Sequence, residues 1–431
     1  MFQMVTMEDL VPDNHLLRKL KQVLNLQSVV DKVSDRYSKL GRSSYDPEVV
    51  VKIWVIQYLY GFSERQVCDE INMHAGYRWF CGLSFNDPVP DQSTLVKLRN
   101  SKWAGTEFWQ ELLDETVRAC EAAGICKPDR MGVDGTQITA SAATVSLEEI
   151  PPVLTLEEEP TATPTAVENP VQPTPQLTIE TGGKPKGKHI SGDPEWHGEK
   201  FSNTTHRSTT DPEARLYRKS SNCEAKLRYL GHYLAHMQSG VIYGAMATQA
   251  SGTAEREAAC RLLDRLPKKP DCLAMDLGYR DGGFLADILE RGVQPLVPLG
   301  GEPLEEVKVY KRRTYNITRE LQRQAVCRAA QARNKTREAS RGRRGAIAQR
   351  QRTRLEHLYA EAKNNHGLAR AHGRGLVKVD QQIKMTAAVQ NLKRLLQTRP
   401  KGRAAAAIYA VNPISHLYMS IFKADFAHRD S

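Results

Sequence analysis

Leu273-Ala274-Met275-Asp276-Leu277-Gly278-Tyr279 decides how the second half of this chain is read. Cys272 to Asp276 is a short apolar run that ends in an acid and then turns, which is the pattern of a buried strand delivering a carboxylate at its end. Upstream, Lys226 to Met237 and Val241 to Ala250 read as two extended segments joined at Gly240, and Glu255 to Leu266 reads as a helix. Downstream, Val293 to Leu299 reads as a further strand. Strand, strand, helix, strand predicts an α/β domain with a mixed sheet.

A second acid-bearing strand precedes this region, in Met131-Gly132-Val133-Asp134-Gly135-Thr136-Gln137-Ile138. A third acid, Glu356, falls in a long helical segment from Gln349 to Asn365. Offsets of four and seven residues return to one side of a helix, so Arg352, Glu356 and Lys363 form one stripe. Asp134, Asp276 and Glu356 are hard oxygen donors suited to Mg²⁺ or Mn²⁺, and the absence of His and Cys from the set argues against structural zinc. Two such ions roughly 4 Å apart can activate a hydroxyl and stabilise the leaving oxygen at a phosphodiester. Other readings stay open for each acid. Asp-Gly is often only a turn, Asp276 could simply end its strand, and Glu361 competes with Glu356.

The first region, to about Gly124, is helical by pattern. Asp46-Pro47-Glu48 supplies an N-cap, a first-position proline and an acidic first turn, and Gly61 stops the helix. Ser63 to Gln66 reads as a capping box, Asp91 and Ser93 offer caps for a third helix, and Phe108 to Cys120 is amphipathic. Short capped helices with tight turns fit either a helix-turn-helix or a small bundle that only packs. Gln92, Ser93, Lys97, Arg99 and Lys102 are candidate contacts to DNA, the cations on phosphates and Gln92 on an adenine edge, with capping the other reading of Ser93. Trp54, Trp79, Trp109, Tyr229 and His232 read as packing residues.

Composition bounds the partners. The chain has 431 residues, a formal charge of +11 and a hydrophobic fraction of 40%. That size predicts more than one domain, and that charge favours a polyanionic partner. Residues 308 to 354 are dominated by Arg and Lys; a solvated helix is the default, but the one-sided sign favours a phosphate-binding surface. Eight cysteines without a C-x-x-C pair read as reduced thiols, and neither an export signal nor a membrane span is expected, so the predicted location is cytoplasmic. Residues 141 to 200, rich in Pro, Thr and Glu, predict an extended or disordered insert.

Val133-Asp134-Gly135-Thr136, Ala274-Met275-Asp276-Leu277-Gly278-Tyr279 and Arg352-x3-Glu356-x6-Lys363 resemble the three catalytic blocks of bacterial insertion-sequence DDE transposases, particularly the insertion-sequence-five-like group. Gly61 to Gln66, Tyr77 to Phe80 and Pro90 to Leu95 resemble their N-terminal domain; Ser208 to Ala214, His366 to Arg370 and Asn391 to Leu395 resemble segments around the later acids. One position departs: the family usually carries a tyrosine three residues before the arginine, where this chain has Gln349. The resemblance implies an RNase H-like α/β catalytic domain (126–140 and 201–400) after an all-α DNA-binding domain (1–125), with the insert at 141–200 and a tail at 401–431. It implies catalysis and metal binding by Asp134, Asp276 and Glu356, with two Mg²⁺ expected and Mn²⁺ able to substitute. It also implies DNA contacts from Arg352 and Lys363, terminal inverted repeats and target DNA as substrates, and a homodimer in the DNA complex. The alternatives are an RNase H-like nuclease without strand transfer and a transposase-derived DNA-binding regulator.

Overall fold

In the computed structural model, which describes residues 6–37, 44–150, 202–218, 224–301 and 317–397, helices occupy the chain up to residue 122. They are α1 (Met7–Leu10), α2 (Leu16–Val23), α3 (Gln27–Ser34), α4 (Pro47–Tyr60), α5 (Glu64–Met73), α6 (Ala75–Cys81), α7 (Gln92–Asn100) and α8 (Phe108–Ala122). The predicted caps of α4 form: Asp46 accepts from the Glu48 amide at 2.8 Å, and Gly61 closes the helix in the left-handed region at φ 70°. Ser63 caps α5, which is one half of the expected capping box. For α7 the cap is Asp91, which also accepts from the Ser93 hydroxyl, so Ser93 supports the cap and is not the cap itself.

α4 is apolar on every side, and Val50, Val51, Ile53, Trp54, Val55, Ile56 and Tyr58 are all buried. A helix of that kind belongs at the centre of a core. Trp54 packs edge-on against Trp103 at 4.8 Å and also meets Trp109 and Phe108. Trp54, Trp79 and Trp109 are therefore packing residues, as predicted.

The rest of the described chain adds β1 (Arg130–Thr139), β2 (Leu147–Glu149), β3 (His206–Ser208), β4 (Arg215–Tyr217), β5 (Lys226–His236), β6 (Ile242–Gln249), α9 (Ala254–Arg265), β7 (Cys272–Ala274), α10 (Gly282–Glu290), β8 (Gln294–Leu296), α11 (Ile317–Arg341), α12 (Arg343–Asn365) and α13 (Leu376–Gln397). A mixed sheet runs β4-β5-β1-β7-β8, with β6 also pairing β5. β5 is antiparallel to β1, and β7 and β8 continue parallel to it. The predicted strand at Cys272 to Asp276 is shorter than expected; after Ala274 the backbone leaves the sheet, and Asp276 caps a short 3-10 turn over Leu277–Tyr279.

Alternation along β1 sorts the two faces of the sheet. Met131 and Val133 pack with Leu234 and with Leu262 and Leu263 of α9, and with α10. Ile138 packs on the other face with Tyr229, Tyr233, Leu355 and Tyr359 of α12 and Ile383 of α13. That second cluster continues without a break into Trp54 and the N-terminal helices. Polar bonds cross the same seam: Asn391 of α13 exchanges bonds of 2.8 Å with the backbone of Ile242 and donates to Thr116 of α8, while the His366 ring bonds the Tyr58 carbonyl at 2.7 Å. The helices before residue 125 and the sheet after it thus share one core.

Residues 144–149 are not part of an unstructured insert: Thr144–Ser146 form a 3-10 turn, and Leu147–Glu149 pair antiparallel with His206–Ser208. The Ser146 and Ser208 hydroxyls meet at 2.7 Å, and Ile150 donates to the Thr205 carbonyl at 2.8 Å, which closes the base of the insert. The remainder, 151–200, and the tail at 401–431 lie outside the described residues. Among the described residues no helix is long and apolar enough to cross a membrane, and the described cysteines are free thiols.

Candidate active site

Asp134 and Asp276 are brought to neighbouring positions by the register of two parallel strands inside the sheet. Gly132 pairs with Ala274, and each aspartate stands two residues further on. Even-numbered residues of β1 face α12, so Asp134 emerges on that side, half-buried at the point where β7 has already ended. Asp276 is fixed by its own turn, accepting from the Gly278 amide at 2.9 Å. It therefore ends the strand and presents a carboxylate at the same time.

α12 supplies the third acid. Arg352 donates to Asp134 Oδ2 at 3.3 Å and to Glu356 Oε1 at 3.3 Å, bridging the strand and the helix. The stripe from Arg352 through Glu356 to Lys363 lies on one unbroken helix. Glu356 is exposed, whereas Arg352 and Asp134 are mostly covered. Glu361, the rival acid, is committed elsewhere: Lys393 at 2.6 Å, Arg394 at 2.8 Å and Gln390 at 3.1 Å hold it, with His366 at 3.6 Å. Burial alone would raise its pKa, but bonds and charges from His366, Arg394 and Lys393 hold the carboxyl well below the usual range.

The electrostatics of Asp134 are of the opposite kind. Burial pushes its carboxyl up to about 6, and the charges of Asp276 and Glu356 add to that; the Gly135 amide and Arg352 pull the other way without prevailing. Glu255, at the start of α9, is likewise raised by burial and by Asp134 and Asp276. Negative groups gathered with one guanidinium among them form a site short of positive charge. The all-oxygen donor set fits a hard divalent cation, and such an ion would reverse the shift on Asp134. Among the described residues no three His, Cys, Asp or Glu side chains lie close enough together to form a finished ligand set.

Other residues hold the frame. The Tyr359 hydroxyl donates to the Asp134 carbonyl at 2.6 Å and accepts from the Tyr233 amide at 2.8 Å, and its ring stacks on Tyr233 at 4.7 Å. Gln349 donates to the carbonyls of Met275 and Leu296 at 3.1 and 3.0 Å, so it pins the ends of β7 and β8 to α12. Its side-chain amide donors face the protein backbone. Tyr359 was legible in principle, being three residues after Glu356 on the same helix; nothing in the spacing pointed to Glu255.

The candidate DNA contacts separate. Gln92 and Lys97 are exposed on α7, whereas Lys102 reaches the Ser44 hydroxyl at 3.3 Å and sits over the Tyr37 ring. Arg99 is a correction: it is buried, paired with Glu64, and lies 5.4 Å from the Trp54 ring centroid, so its charge is spent inside the helical core. The basic run is also partly internal. Arg328 of α11 pairs with Asp287 and Glu290 of α10, and Arg337 is buried, leaving Lys335, Arg341, Arg343, Arg344, Arg350 and Arg354 exposed. Tyr229 and His232 are core groups, as predicted; Tyr229 donates to Asp211 at 2.6 Å, and burial pushes the His232 ring, bonded to Thr248, down to about 3.

Comparison with known families gives two matches. Residues 5–101 match a family described as Transposase domain (DUF772), and residues 203–392 match Transposase DDE domain. Asp276 and Glu356 fall within the second match, and Asp134 precedes it. No solved structure matches the chain.

Proposed function

Since this chain belongs to the transposases that carry a DDE domain, we propose that it cleaves DNA at the ends of an insertion sequence and joins those ends to target DNA. The observation that carries the proposal is the register that sets Asp134 in β1 beside Asp276 just past the end of the parallel β7, with Arg352 tying Asp134 to Glu356. The sheet order, an antiparallel trio β6-β5-β1 extended by parallel β7 and β8, supports an RNase H-like catalytic domain.

Asp134, Asp276 and Glu356 would hold the divalent cations, two Mg²⁺ with Mn²⁺ as a substitute. Bound there, such ions supply Lewis-acid activation of the attacking hydroxyl and neutralise charge on the leaving oxygen. The chain's own residues do the positioning. The Gly135 amide, 2.9 Å from Asp134 Oδ1, turns that carboxylate, while Tyr359 fixes its backbone. Arg352 bridges the two acids in the free protein and, once they are neutralised, is released to a DNA phosphate. Lys363, two turns beyond Glu356, extends the same face toward the backbone of the bound end.

Gln92 and Lys97 on the outer side of α7 are proposed to contact the terminal inverted repeats, with Arg99 withdrawn from that role. Two element ends held together call for a homodimer in the DNA complex. The enzyme would act on the nucleoid in the cytoplasm.

Strand transfer separates this reading from that of a simple nuclease. Purified chain, Mg²⁺, end DNA and a supercoiled target plasmid should yield plasmid covalently joined to end DNA. Cut ends without any joined product would contradict the proposal and favour a nuclease.

A further inference from the structure

Gly135 follows Asp134 on β1 and faces the other side of the sheet, toward α9. The room that a side chain would take there is filled by Glu255. A Cβ at Gly135 would lie 2.8 Å from Glu255 Oε1 and 3.1 Å from its Cδ. Glu255 is half-buried, stands in the first turn of α9, and makes no hydrogen bond or ion pair among the described residues. The charges of Asp134 and Asp276 both reach it. An unpaired carboxylate under the repulsion of two others is unfavourable unless a cation offsets them.

A second observation comes from the turn that Asp276 caps. Tyr279, on the turn capped by Asp276, is 1% exposed, and its hydroxyl has no hydrogen-bond partner. Burial raises the pKa of that hydroxyl, and the charges of Glu255, Asp134 and Asp276 raise it further against the opposing pull of Arg352. A buried O–H left without an acceptor is rare, because the desolvation cost is uncompensated.

We propose that Glu255 is a fourth carboxylate ligand of the divalent-cation site, contributed by α9 from the sheet face opposite α12, with the Tyr279 hydroxyl orienting the oxygens bound there. This rests on the proposed metal-dependent function. It also explains the glycine after Asp134: any larger residue would push the Glu255 carboxylate out of the site.

The test uses the full chain without DNA and measures Mn²⁺ binding from the electron paramagnetic resonance signal of the free ion. Wild type should bind Mn²⁺, and Glu255→Gln should weaken binding by about tenfold or more. Its metal-free unfolding midpoint should be unchanged or higher, because a repulsive charge has gone. Glu255→Asp should retain part of the affinity, and Gly135→Ala should reproduce the Glu255→Gln defect, which serves if Glu255→Gln fails to fold. Wild-type affinity in Glu255→Gln or Gly135→Ala, alongside loss of binding in Asp134→Asn, would overturn the role of Glu255 and leave the wider reading standing. Absence of Mn²⁺ binding in wild type would overturn both.

Discussion

Two carboxylates five residues apart on α12 behave in opposite ways, and each gives a test. Glu361 is held as an anion, with a pKa below its ordinary 4.5, by His366, Arg394 and Lys393 despite its burial. A depressed folded-state pKa contributes stability that is present above the unfolded value and lost as pH falls through it toward the folded one. Urea unfolding should therefore show wild-type stability falling below about pH 4.5. Glu361→Gln should be less stable by about 1–3 kcal/mol at pH 7, since it leaves the half-buried Lys393 and Arg394 without their anion, and its stability should fall less on acidification. Equal pH dependence in both proteins would refute the role given to this network. Glu356 carries no such stabilising cage, and Glu356→Ala should leave the unfolding midpoint almost unmoved. The chain itself pointed to Glu356 through its spacing with Arg352 and Lys363. That Glu361 turns inward could not be read from it, because Lys393 and Arg394 lie about thirty residues away on α13. Arg99 was misjudged for a similar reason: a cation on a capped helix reads as surface until Trp54, Trp109 and Glu64 are seen to surround it.

Elements matter here through the way α12 is docked. Its N-terminal end is set by a close approach to α11, where a Cβ at Gly345 would lie 2.3 Å from the Ser340 carbonyl oxygen. Backbone cannot yield as a side-chain tip can, so Gly345→Ala should force the two helices apart at a cost of about 1–3 kcal/mol. The expected result is a lowered melting temperature together with reduced cleavage, because Arg352 and Glu356 ride on the displaced helix. Gln349 holds the same helix to the strand ends by two bonds to carbonyls. Gln349→Ala should lose about 1–2 kcal/mol of stability while leaving end-DNA affinity nearly intact. A large loss of DNA affinity with unchanged stability would show instead that Gln349 contacts DNA. Strand and helix patterns made β5, β6, α9 and most of the caps legible. The shortness of β7 was not, because its end is set by the turn that Asp276 caps and not by the apolar run.

At the scale of the molecule, composition predicted a division near residue 125 that the packing does not follow. α4, α8 and α13 meet in one core, and the bonds of Asn391 and His366 cross the boundary. The reason is physical: α4 is apolar on all sides and must be enclosed, and the helix that helps enclose it, α13, lies more than 300 residues later. Unfolding of the full chain should accordingly show the N-terminal tryptophans and the sheet melting in one transition, followed by tryptophan fluorescence and far-UV dichroism. Two well-separated transitions would contradict a shared core. The most direct measurement of the whole account compares cleavage of element-end DNA in Mg²⁺ by wild type, Asp134→Ala, Asp276→Ala and Glu356→Ala, with end binding measured in parallel. Each variant should bind the end as wild type does and cut it at least about a hundredfold more slowly, and EDTA should abolish wild-type cleavage. Wild-type cutting rates in the three variants, or cleavage that survives EDTA, would contradict it.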